Sequence, residues 1–116
     1  MKVEVTQADI DRSRELIKEF LYGDDSAADC CPISLAIQRK QGVELATVGP
    51  RRVIVGRAKK PLSTTGTYMV YSYYGLPKRA KEFVERFDKG VEVQPITFEA
   101  RKRRKLVESS RFIATN

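Results

Sequence analysis

The sequence predicts one α+β domain, a small antiparallel sheet packed on two to three helices. Three observations lead there. Apolar residues recur at helical spacing up to Gly42, and the period then switches to the alternation of extended chain. Two β-prone runs follow, the first a hairpin broken at Gly49-Pro50, before a helical pattern returns. The chain is 116 residues long with 41% apolar content, enough for a single core.

The elements follow in order. "KVEV", residues 2–5, alternates and reads as a short edge strand. Thr6 is a natural N-cap, with Asp9 three positions on at the positive end of the helix dipole. Ile10, Leu16, Ile17, Phe20 and Leu21 form one face of a helix over 7–22, which Gly23 and the polar loop "DDSAAD" close. Pro32 suits the first position of a second helix, nearly all apolar through Ile37 and therefore central. "VELATV" and "RRVIVGR" are two strands around the Gly49-Pro50 turn. "AKKPLSTTG" has the composition of an exposed loop. In "TYMVYSYY" the side chains of Tyr68, Val70, Ser72 and Tyr74 alternate with those of Met69, Tyr71 and Tyr73. Leu76-Pro77 opens a third helix with Ala80, Phe83, Val84 and Phe87 inward and Gly90 at its end. "VEVQPITFEA" reads as a final strand, interrupted or edged by Pro95. The expected division is an α+β domain over residues 1–100 and a basic C-terminal helix or arm over 101–116.

Composition narrows the function. Residues 1–50 hold six Lys/Arg against nine Asp/Glu, a net of −3; residues 51–116 hold sixteen against six, a net of +10, which together give the formal +7. Such polarity steers anionic partners toward the second half, or favours head-to-tail self-association. No apolar run approaches the ~18 residues of a membrane span. The start of the chain lacks the apolar stretch of a secretory signal, so a cytosolic location is expected. Cys30 and Cys31 are adjacent, and in a reducing cytosol both are expected as free thiols. Two cysteines and no histidine are too few ligands for a zinc site. Asp24, Asp25 and Asp29 lack the acidic twelfth-position residue of a calcium loop and read as a solvated turn. Neither a metal nor a cofactor is expected.

Catalytic signatures are missing: there is no histidine for general-base work, no nucleophile elbow and no phosphate-cradling glycine loop. Cys31 lies just ahead of a helix N-terminus, where a thiol pKa can fall, but its plainer role is to cap a buried helix. A non-enzymatic protein is expected.

Anion binding has more to support it. In "GPRRVIVGRAKKPL", Arg51 and Arg52 precede the apolar run and Arg57, Lys59 and Lys60 follow it. Guanidinium forks match phosphate oxygens, and lysines add point charge. Thr64 and Thr65 offer hydroxyl donors beside them. Tyr71 and Tyr73, on the next strand, either stack on a base or fill the core. Arg52, Arg57 and Lys60 are expected around one anion site. A second cationic cluster, Arg101, Lys102, Arg103, Arg104 and Lys105, suits phosphate contacts of a nucleic acid.

Three packing motifs carry a resemblance over residues 29–99: Cys31-Pro32-Ile33-x-Leu35-Ala36-Ile37; Leu76-Pro77-x-x-Ala80-x-x-Phe83-Val84-x-x-Phe87-Asp88-x-Gly90; and Val93-x-Pro95-x-x-Phe98. The chain resembles a group of small, uncharacterised bacteriophage-encoded proteins that share such a helix and such an end. The resemblance implies a fold and a viral origin, hence the host cytosol, and does not point to an activity. Combined with the charge and tyrosines, it gives the first expectation, a non-catalytic and oligomeric protein that counters host defence by sequestering an anionic nucleotide signal. The alternatives are a DNA- or RNA-binding module and an inhibitor of a host defence protein.

Overall fold

The computed structural model describes residues 1–19, 30–59 and 66–108, with side chains described as far as Arg103 in the last stretch. Phe20, Leu21, Asp24, Asp25, Asp29, Lys60, Thr64, Thr65 and residues 109–116 lie outside the described residues. The described elements are β1 (Lys2–Val5), α1 (Gln7–Glu19), α2 (Pro32–Gln38), β2 (Leu45–Val48), β3 (Arg52–Lys59), β4 (Tyr68–Gly75), α3 (Lys78–Asp88), β5 (Ile96–Glu99) and β6 (Arg101–Glu108). They form a compact single α+β domain with two antiparallel sheets, one of two strands ordered β1-β5 and one of four ordered β2-β3-β4-β6.

Local chemistry fixes the helices. At the start of α1 the Thr6 hydroxyl accepts from Asp9 N–H at 3.2 Å while the Asp9 carboxylate accepts from Thr6 N–H at 2.9 Å, a reciprocal capping box. The Cys31 sulfur caps α2 by accepting from Ser34 N–H at 3.5 Å, with Pro32 at the first helical position. Gly42 and Gly90, at φ 82° and 78°, end the turns after α2 and α3 in a conformation other residues adopt only under strain.

α2 lies at the centre, touching α1, β1 and β2. Its Ile33 and Ile37 are fully buried with Val3, Val53 and Val55, and α3 adds Ala80, Phe83, Val84 and Phe87 to the same core. The Ser34 hydroxyl donates to the Ala46 carbonyl at 2.6 Å, tying α2 to β2. Beneath α1, Asp9 is buried and accepts from Arg39 at 2.6 and 3.1 Å. Burial alone would raise the Asp9 carboxyl, but the hydrogen bonds from Arg39 and Thr6 outweigh it and hold the group below its ordinary range.

Three expectations are corrected. Residues 101–108 are neither helix nor arm: they form β6, paired antiparallel with β4 from Gly75↔Arg101 to Met69↔Glu108. The domain therefore extends past residue 100. A run of cations tolerates this position because β6 is an edge strand of the sheet, where charge can stay in water. The "VEVQPITFEA" strand shortens to Ile96–Glu99, since Pro95 offers no N–H to a ladder, and it pairs with β1. On α1 the buried residues are Asp9, Ile10 and Ser13, whereas Ile17 is 39% exposed, because a helical stripe is buried only where another element covers it.

Candidate anion-binding face

Strand alternation divides the four-stranded sheet into two faces. Ala46, Val48, Val53, Val55, Val70, Ser72 and Tyr74 are buried on the core side. Leu45, Ile54, Met69, Tyr71 and Tyr73 are half-buried on the other, outer face. Tyr74 is thus core, while Tyr71 and Tyr73 present their rings on the outer side.

The same alternation corrects the expected arginine cluster. Arg52 is opposite Gly75 on the outer face, but Arg57 is opposite Val70 on the core side, with Lys59 two residues further along that side. Five positions separate the two arginines, an odd number, so a flat strand cannot bring them to one ligand. Arg51 precedes β3 and is exposed in the turn, where its carbonyl accepts from Leu76 N–H at 3.2 Å. Of the β3 cations, Arg52 is the one on the tyrosine face.

A different cluster forms around Gly75. Arg52 is its cross-strand partner in β3 and Arg101 its partner in β6. The register shifts between Tyr73 and Tyr74, which pair with Arg104 and Lys102, leaving Arg103 as the extra residue of a β-bulge. Arg103 lies across the strand over Gly75: a Cβ there would come within 2.8 Å of Arg103 Nε and 3.3 Å of Nη2. The glycine is what lets a guanidinium lie flat against β4.

The tyrosines are held in the same manner. Arg52 stacks on the Tyr73 ring, its Cζ 5.1 Å from the ring centroid. Tyr71 reaches across Gly56 of β3, where a Cβ would meet Tyr71 Cε1 at 3.1 Å, Leu45 Cδ2 at 3.1 Å and Met69 Cε at 2.9 Å. Tyr71 therefore rests against bare backbone between two apolar side chains. Outward from Gly75 the face runs from a pair of guanidinia, through Tyr73, to Tyr71 and Met69.

No carboxylate among the described residues pairs with the cations here. Among the described residues the ion pairs join Met1 to Glu99, Lys2 to Glu4, Arg12 to Glu15, Arg39 to Asp9 and Lys89 to Glu85. None involves Arg51, Arg52, Arg57, Lys59, Arg101, Lys102 or Arg103. Arg104 and Lys105 take register positions opposite Tyr73 and Ser72. Sequence reasoning placed Arg103 in a C-terminal helix or arm and did not single out Gly75; a glycine inside one β-prone run, Gly56, and another at the end of the next, Gly75, were the signal of close approach.

Cys31 is not activated. Burial pushes its thiol up to about 11, against the smaller lowering effect of the backbone N–H groups of Ser34 and Ile33. Cys30 and Cys31 are not joined in a disulfide. No helix among the described residues is long and apolar enough to cross a membrane. No protein-family model, curated protein or solved structure matches the chain.

Proposed function

We propose that the chain binds single-stranded nucleic acid on the outer face of its four-stranded sheet, without catalysis. The observation that carries this reading is a set of arginines, in no ion pair among the described residues, beside tyrosines on one sheet face: Arg52 on Tyr73 and Arg103 over Gly75. Guanidinia supply phosphate contacts, and aromatic rings supply platforms for bases of any sequence. Tyr71 and Tyr73 are two residues apart on one strand, about 6.8 Å along it. That is twice the ~3.4 Å per nucleotide of a stacked duplex strand. Bases placed on the two rings are therefore splayed from one another, which suits an unpaired strand and not a duplex.

A second reading keeps the expectation drawn from the phage resemblance, in which the face sequesters one anionic signal nucleotide, with protomers sharing the ligand. The observation in its favour is that Arg52, Arg103 and Tyr73 make one compact site for a single base and phosphate. Length separates the two. We expect fluorescence-anisotropy titrations of labelled oligothymidylates to show affinity rising from two to eight nucleotides, with a salt slope of about −0.7 per contacted phosphate. Arg52→Ala should weaken binding roughly ten- to a hundredfold, the equivalent of one charge-assisted hydrogen bond of about 1.5–3 kcal/mol. Tight stoichiometric binding of one mononucleotide or cyclic dinucleotide, with no gain from length, would select the second reading. Failure of every ligand would exclude both.

A further inference from the structure

Gly75 and Arg103 belong to two surfaces at once. They close the cationic end of the outer face, and they also line a groove that continues past the end of β4, between Leu76-Pro77 on one side and Arg101-Lys102 on the other. We infer that this groove is a second phosphodiester subsite, through which a strand lying on Tyr71 and Tyr73 continues beyond Gly75. The inference rests on the single-strand reading of the face.

Three features give the path its direction. First, the groove's cations are available: among the described residues neither Arg101 nor Lys102 is paired with a carboxylate, and both are exposed. Glu99, the acid in the groove wall, is bonded to the Met1 ammonium at 3.1 Å. Second, the cations of β6 gather at the groove end of that strand. β6 begins Arg-Lys-Arg-Arg-Lys beside the groove and ends Leu-Val-Glu opposite Val70 and Met69. On the outer face the β3–β4 pair beyond Tyr71 is Ala58 and Met69, without a cation, while Arg57 and Lys59 at that end lie on the core side, so on this face a polyanion centred on Tyr73 is drawn toward the groove. Third, the spacing fits. Tyr73, Gly75 and Pro77 follow one another at two-residue steps, and each extended step covers about 6.8 Å, the interval that already separates the two rings. The bulge serves the same end, since the extra residue turns Arg103 back over Gly75, so that one guanidinium faces the junction between the two surfaces.

The ligand class is an extended single strand longer than two nucleotides. Its first internucleotide phosphate lies by Arg52 and Arg103, and the next by Arg101 and Lys102. The test is an Arg101→Ala/Lys102→Ala double variant titrated with a thymidine dinucleotide and a thymidine hexanucleotide, beside Arg52→Ala. Circular dichroism and thermal melting check folding, and Arg101→Lys/Lys102→Arg keeps charge while changing donor geometry. We expect hexanucleotide affinity to fall at least tenfold further than dinucleotide affinity, and the hexanucleotide salt slope to become shallower by about 0.7, for the one phosphate that the pair holds. The charge-preserving variant should retain most of the hexanucleotide slope. Equal losses for both lengths would mean that the groove adds only a general field and would overturn the inference. So would unchanged binding at both lengths while Arg52→Ala remains weakened, a result that leaves the face itself standing. If Arg52→Ala also binds normally, the reading of the face falls with it.

Discussion

Replacing Gly75 by alanine separates recognition from folding more cleanly than removing an arginine does. Gly75 has no positive φ, so its backbone accepts any residue. The added Cβ would sit 2.8 Å from Arg103 Nε, 3.3 Å from Nη2 and 3.5 Å from Cζ, and the atoms it meets are the far end of one flexible, exposed side chain. Arg103 swings away at little cost. Meanwhile the unfolded chain loses the freedom of a glycine, which stabilises the fold by about 0.4–1 kcal/mol. Gly75→Ala should therefore melt at the wild-type temperature or slightly above. Binding should respond in the other direction. Loss of one charge-assisted contact of about 1.5–3 kcal/mol corresponds to a roughly ten- to a hundredfold weaker complex. Thermal melting and anisotropy titration with an eight-nucleotide oligothymidylate measure the two quantities on one preparation. A variant that is as stable as wild type and binds as tightly would refute the role given to Arg103 over Gly75.

Gly56→Ala should behave differently. Its Cβ would crowd Met69, Leu45 and Tyr71 together, so repacking should cost about 1–3 kcal/mol and lower the melting temperature as well as lifting Tyr71. The Asp9 carboxyl is held low in the folded chain, so its contribution to stability is present above the unfolded pKa and is lost as pH falls through the folded value. Arg39→Ala should destabilise the protein near neutral pH and flatten this acid limb in pH-dependent urea melts; an unaltered limb would mean that the pair does not govern it. Cys31, raised to about 11, contributes stability below the ~8.5 of an unfolded thiol that is lost as pH climbs through the folded value. Ellman titration should find Cys31 unreactive in the native protein at pH 8 and reactive in denaturant.

The readable parts of this fold were the ones whose cause is local. The Thr6/Asp9 box, Pro32 at the start of α2, the Gly49-Pro50 turn and the Phe83/Val84/Phe87 stripe each lie within one or two turns of chain, and each is where its residues imply. β6 was not readable. "RKRRKLVE" has no alternation and no apolar face in its first five positions, and it is a strand only because the tyrosine-bearing β4 offers it a ladder. The site was legible to the same extent. Alternation put Tyr71 and Tyr73 on one side of their strand without saying whether that side was core, and Arg52 was grouped with Arg57, which parity separates from it, whereas the contact of Arg103 with Gly75 depends on a bulge and on which residue faces which across two strands. Composition carries neither.

Parity also accounts for the charge at both ends of β3. Read along the chain, Arg52 at one end and Arg57 with Lys59 at the other suggest one ligand spanning the strand. In the sheet they address different sides, and each side has its own reason for them. On the core side, Val53 and Val55 are fully buried and the alternation then runs out through half-buried Arg57 to exposed Lys59. There the arginine stem can cover apolar surface while its head stays in water. On the outer side Arg52 leans on Tyr73 and faces Gly75, where two β6 arginines converge on the same residue. Gathering guanidinia that have no carboxylate among the described residues around one glycine raises the folded chain's self-repulsion, a cost that Arg12 and Arg39 avoid by pairing with Glu15 and Asp9. A strand built only for stability would place a β-branched residue at Gly75 and a carboxylate near Arg103. The fold instead keeps the backbone bare and, among the described residues, leaves these guanidinia without a carboxylate, a charge that a polyanion would relieve on binding.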